Sequence, residues 1–151
     1  MSQWLRERLR QRPRWMNALM LFCAYMTFVH MPWDFFIKPV AHDAEAWFGF
    51  LLHGWGAKLT EPLHWAIYAA GVYGFWRMRA WMWPWAAVYA AQVTFGMFVW
   101  NVVYVGGFNG WVSGLVVLVP FGAITIALWQ ARDRFGRAPG SLRERYGSGR
   151  W

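Results

Sequence analysis

Four ionisable side chains crowd the place where one apolar run ends and the next begins: His30, Asp34, Glu61 and His64. His30 and Asp34 are four apart, so on a helix they share a face where imidazole and carboxylate can hydrogen-bond. Pro32 between them lacks a backbone donor and frees a carbonyl. At membrane depth a freed carbonyl is tolerated chiefly beside protein or a cavity. Acid–base work by His30, Asp34 and Glu61 is the chemistry this arrangement suggests, with His64 near Glu61. The same residues would equally serve as satisfied structural pairs, and residue types alone leave both readings open.

The remaining outer residues read more simply. His42, Asp43, Glu45 and His53 are expected to solvate a long exposed connection. Several other chemistries fall away. One cysteine, Cys23, supports no disulfide framework, Cys-based zinc site or quinone-linked dithiol. Four histidines are too few for a histidine-rich di-iron hydroxylase. His30 and His64 could face one another only near the outer surface, with no second pair for a transmembrane haem relay. Ser113 is the only serine near an apolar run, which leaves a Ser-His-Asp nucleophile unsupported, and no Gly-rich phosphate loop is present. Neither a metal nor a cofactor is expected.

The elements that must position these residues are membrane helices. Of 151 residues, 58% are apolar and 15% charged, against about 25% charged in an ordinary soluble domain. Runs at 15–36, 61–76, 82–104 and 111–130 approach the length needed to cross a bilayer. The expected fold is an all-α integral membrane four-helix bundle over residues 1–136, followed by a basic tail at 137–151. Thirteen of fifteen basic residues flank one side of these runs, leaving Lys38 and Lys58 on the other. The positive-inside rule then puts both termini in the cytoplasm of a multi-pass protein, in the inner or plasma membrane if the source is bacterial. Tryptophans repeat the pattern, with Trp15, Trp76, Trp81, Trp83, Trp85 and Trp129 at one level and Trp33, Trp65, Trp100 and Trp111 at the other. A net charge of +8 would suggest nucleic acid on a folded surface. Placed beside the spans it suits topology and anionic headgroups instead, so membrane lipids are expected partners and nucleic acid is not.

Local signals complete the outline. Thr60-Glu61-Pro62 reads as a helix start, and Pro84 as another. Gly106-Gly107-Phe108-Asn109-Gly110 reads as a turn between antiparallel spans. Pro120 implies a kink in span four. In the connection between spans one and two, Asp43 is expected to cap an interfacial helix or lid through Glu45, Trp47, Phe48, Leu51 and Leu52. Thr94 and Asn101 share a face of span three, where interhelical hydrogen bonding is their default use.

Taken together, His30-Met31-Pro32 with Asp34, Ala46-Trp47-Phe48, Glu61, Tyr73-Gly74-Phe75, Trp81, Pro84-Trp85-Ala86-Ala87-Val88-Tyr89 and Val119-Pro120-Phe121 resemble the EXPERA superfamily of emopamil-binding sterol isomerases and sigma-2-receptor-like proteins. The first loop is shorter than is usual there and lacks a Tyr…Asp-Pro-Leu element, and Glu61 lies nearer the mouth of its span. The resemblance implies an intramembrane pocket for a sterol-like or isoprenoid lipid, or another hydrophobic small molecule. In the isomerases an acid protonates a double bond and aromatic faces steady the cation. His30, Asp34 and Glu61 would match the catalytic groups. Trp33, His64, Trp65, Thr94, Trp100 and Asn101 would contact the ligand. The competing class is a non-catalytic accessory or assembly subunit of a larger membrane transport or redox complex, or a homo-oligomer, with its polar residues satisfying a neighbouring chain.

Overall fold

The computed structural model describes Leu9 and residues 12–136. The basic tail at 137–151 therefore lies outside the described residues. The described chain is mainly helical. Helix α1 (Arg14–Tyr25) passes through a π-helical turn, Met26–His30, into the short α2 (Met31–Phe36). The wide turn lies just before Pro32, whose missing N–H interrupts the regular ladder. A 3-10 turn (Val40–His42) leads to strands β1 (Ala44–Trp47) and β2 (Phe50–His53). Then follow α3 (Trp55–Arg77), α4 (Met82–Trp100) with a π turn (Asn101–Val105), and α5 (Gly107–Gln130).

Among the described residues, three stretches are long and apolar enough to cross a membrane: Arg14–Phe36, Met82–Val105 and Gly107–Arg134. Helix α3 matches them in length, at 23 residues. Lys58, Glu61 and His64 interrupt its apolar character near one end. Helices α4 and α5 form the expected antiparallel pair. Gly106 and Gly107 both take positive φ at the turn, and α5 continues through Pro120 as one helix.

Two expectations are corrected. The connection between the first two long helices holds no interfacial helix over Glu45–Leu52. It forms an antiparallel hairpin with Ala44 opposite His53 and Trp47 opposite Phe50. Phe48 and Gly49 make the two-residue turn, with φ of 52° and 91°. This is the left-handed pair that matches the twist of a hairpin. Helix α3 also begins at Trp55 and not at Thr60. Gly54, at φ 59°, turns the chain out of β2, and the helix runs on through Pro62. The added turns bring Lys58 and Glu61 onto the same helix.

At the arginine-rich end the core is mainly apolar, with the buried Arg12 guanidinium donating to Phe75 O at 2.6 Å. Met16, Met20, Phe75, Met82, Ala87, Leu128, Ala131 and Phe135 are buried together. Gly74 makes this closure possible, because a Cβ there would meet the Met82 sulfur. At the opposite end the hairpin lies against both α3 and α4.

Candidate functional site

The site begins with a polar stripe. On α3, Lys58, Glu61, His64 and Tyr68 recur at helical spacing, so one face of the helix carries all four. Asp34 and Lys38 approach it from the end of α2, and Asp43 from the foot of the hairpin.

These residues form a buried ion network. Asp34 Oδ1 lies 3.2 Å from Lys38 Nζ, which lies 2.9 Å from Asp43 Oδ1. Lys58 Nζ lies 3.1 Å from Asp43 Oδ2 and 3.4 Å from Glu61 Oε1. It also donates to the backbone carbonyls of Asp34 and Lys38, at 2.5 and 3.2 Å. Asp34, Asp43, Lys58 and Glu61 are all buried, and Glu61 is only 1% exposed. The contacts to Asp43 are ion pairs with off-axis approach, not well-aligned hydrogen bonds. Burial pushes the Asp43 carboxyl upward, but Lys38, Glu61 and Lys58 outweigh it and hold the group down at about 2. Burial alone would depress the Lys38 ammonium, yet Asp43 and Asp34 raise it above its ordinary value.

Oxygens of Asp34, Asp43 and Glu61 all lie within 4.8 Å of one another, which is the spacing of a cation site. Lys58 reaches oxygens from Asp34, Lys38, Asp43 and Glu61, as a bound cation would. Its ammonium therefore supplies the charge that a metal would bring. The balance is three carboxylates to two ammonium groups. Half-buried His30 stands at the edge, 3.8 Å from Asp34 Oδ2.

A second arrangement runs further along α3. His64 Nδ1 lies 2.9 Å from Glu45 Oε2 of the hairpin. The Trp47 ring stacks on the imidazole at 4.2 Å and 5°. Tyr68 follows, 6.4 Å from His64 between ring centres, and meets Tyr89 of α4 edge-on at 6.3 Å. Phe22 of α1 packs edge-on against Tyr68 at 5.9 Å. The result is a column of polar rings leading from the hairpin into the bundle.

The structure thus joins His30, Asp34 and Glu61 in one network and puts His64 in the adjoining column. The other expected ligand contacts lie apart. Trp33 is about half exposed. Trp65 packs on Phe35 and Phe36. Thr94 bonds Ala90 and meets Thr125 across the α4–α5 interface at 3.1 Å, in its default interhelical use. Asn101 donates to Met97 O within its own helix, and Trp100 lies against Tyr104.

The expectation for the outer loop is corrected by half. His42 and His53 are exposed, but Asp43 is buried and Glu45 is paired. Lys38, Lys58, Tyr68 and Tyr89 were not foreseen at a site, and Trp47 was expected only in a lid over it. The spacing of 58, 61, 64 and 68, and the i,i+4 pair Asp34–Lys38, were the signals that could have found several of them. Compared with family models, with curated proteins and with solved structures, the chain matches none.

Proposed function

We propose that the protein crosses the membrane four times, with its arginine-rich end in the cytoplasm, and binds a hydrophobic molecule bearing one polar group. A sterol-like or isoprenoid alcohol fits this description. The observation that carries the reading is the Trp47–His64–Tyr68–Tyr89 column. Imidazole and phenol groups can exchange hydrogen bonds with a hydroxyl, and the neighbouring ring faces suit an apolar body. Few polar groups among many apolar ones is the usual composition of such sites.

Binding is favoured over double-bond isomerisation. A catalytic acid must face the bond it protonates. Asp34 and Glu61 instead turn into the ion network, with Lys38 and Lys58 against them. The proposed recognition group is His64 with the two tyrosines, and the carboxylates act as structural anchors.

Crosslinking in vesicles with a photoreactive sterol and a photoreactive polyprenol tests this reading. Tyr68→Phe and His64→Leu should each weaken competition by the unlabelled alcohol about tenfold, about 1.4 kcal/mol. Equal labelling of parent and variants, with no lipid retained by the purified protein in native mass spectrometry, would favour the accessory-subunit reading.

A further inference from the structure

We propose that the β1–β2 hairpin is a re-entrant membrane element whose exposed side contacts acyl chains of the leaflet opposite the arginine-rich end. This inference concerns the loop's environment and is independent of what the polar column binds.

Two rulers give the depth of the hairpin. On α3, Trp47 stacks on His64, thirteen residues above Arg77. At 1.5 Å per residue this is about 20 Å from the arginine-rich end. On α4, Gly49 abuts Gly96, twelve residues above Pro84, where the regular helix begins after the non-helical Trp83, or about 18 Å by the same rise. The two helices agree to within about 2 Å. Against a hydrocarbon core of about 30 Å, the turn lies about 10 Å below the far boundary.

The foot of the hairpin fits this placement. Four residue pairs enclose three intervals of 3.4 Å, a span of about 10 Å. The foot therefore reaches the level of Lys58, nineteen residues above Arg77, or about 28 Å. Asp43, Lys38 and Lys58 thus meet at the rim of the core, where long ammonium side chains reach headgroup level.

Local features suit the same environment. Phe48, Phe50 and Leu52 are exposed on the chain, and no charged residue lies between Trp47 and His53. An open strand edge is costly in hydrocarbon, where backbone groups need protein partners. The Leu51 N–H, which the register turns outward, donates to the Tyr104 hydroxyl at 3.0 Å. The close approach to α4 depends on glycine on both sides. A Cβ at Gly49 would lie 2.5 Å from Val99 Cβ and 2.7 Å from Gly96 O.

The test uses the full chain with Cys23→Ser, reconstituted in phosphatidylcholine–phosphatidylglycerol vesicles. Phe48→Cys, Phe50→Cys and His53→Cys would each carry a small environment-sensitive fluorophore. At Phe48 and Phe50, acyl-chain nitroxide lipids should quench several-fold more than aqueous iodide. At His53 the order should reverse. Iodide quenching at Phe48 and Phe50 equal to that at His53 would place the hairpin in water and overturn the proposal. Quenching by neither agent, with crosslinks between copies at Phe48, would make a second copy the occupant and overturn it as well. Amide exchange of the unsubstituted protein in vesicles provides a reading without mutation. Protection at Leu51 and Leu52 comparable to that of α3 is expected, and exchange as fast as at Ala41 and His42 would contradict the proposal.

Discussion

At the arginine-rich end, Met16, Met20, Phe75, Met82, Leu128 and Phe135 close the bundle with mainly apolar atoms, and one buried cation, Arg12, donates to a backbone carbonyl there. At the opposite end, Asp34, Lys38, Asp43, Lys58 and Glu61 close it with ion pairs. An apolar seal loses stability in proportion to the volume removed, because neighbouring side chains partly relax. An ion network behaves differently, since removing one member strands its partners as buried charges. Lipid tails are as apolar as a leucine side chain, so helix association in a bilayer gains little from the hydrophobic effect. The charged end therefore anchors the foot of the hairpin, and the apolar end packs the helices together.

The largest effect is expected for Lys58→Met, which leaves Asp43 and Glu61 without that ammonium. It should cost about 3–5 kcal/mol, read as a fall in thermal midpoint in detergent. Met16→Ala at the other end should cost less, about 2 kcal/mol. If the two losses were equal, or the order reversed, the contrast between the ends would fail.

Acid titration sharpens the comparison. The Asp43 carboxyl is held below its unfolded value, so its contribution is complete above about pH 4. That contribution fades as pH falls from there through about 2. Stability of the parent should therefore drop across this window by about 2 kcal/mol, and Asp43→Asn should flatten the drop. A drop of the same size in the variant would assign it to other carboxylates.

The smallest effect is expected for Tyr104→Phe, which removes the acceptor for the Leu51 N–H. About 1 kcal/mol should be lost, with faster amide exchange at Leu51 and no change around Phe75. Loss of protection at both ends would mean that the hairpin and the apolar core unfold as one unit.

Long apolar runs, the clustering of arginines at one end and the Gly106-Gly107 turn were all legible in the sequence. They follow from properties each residue carries by itself or shares with its neighbours in the chain. The pair His30–Asp34 was legible for the same reason, since its i,i+4 spacing needs only a helix. The segment Ala44–His53 was not. Its short apolar run suits a helix or a strand equally by pattern, and the hairpin is held by distant partners: His64 against Trp47 and Glu45, Gly96 against Gly49, and Tyr104 against Leu51. Lys58 belonged to the same ambiguity, because its role depended on whether α3 began before or after it. Tertiary structure decided these points, for a hydrogen bond or ion pair is a property of two groups and becomes visible only when the fold has brought both together.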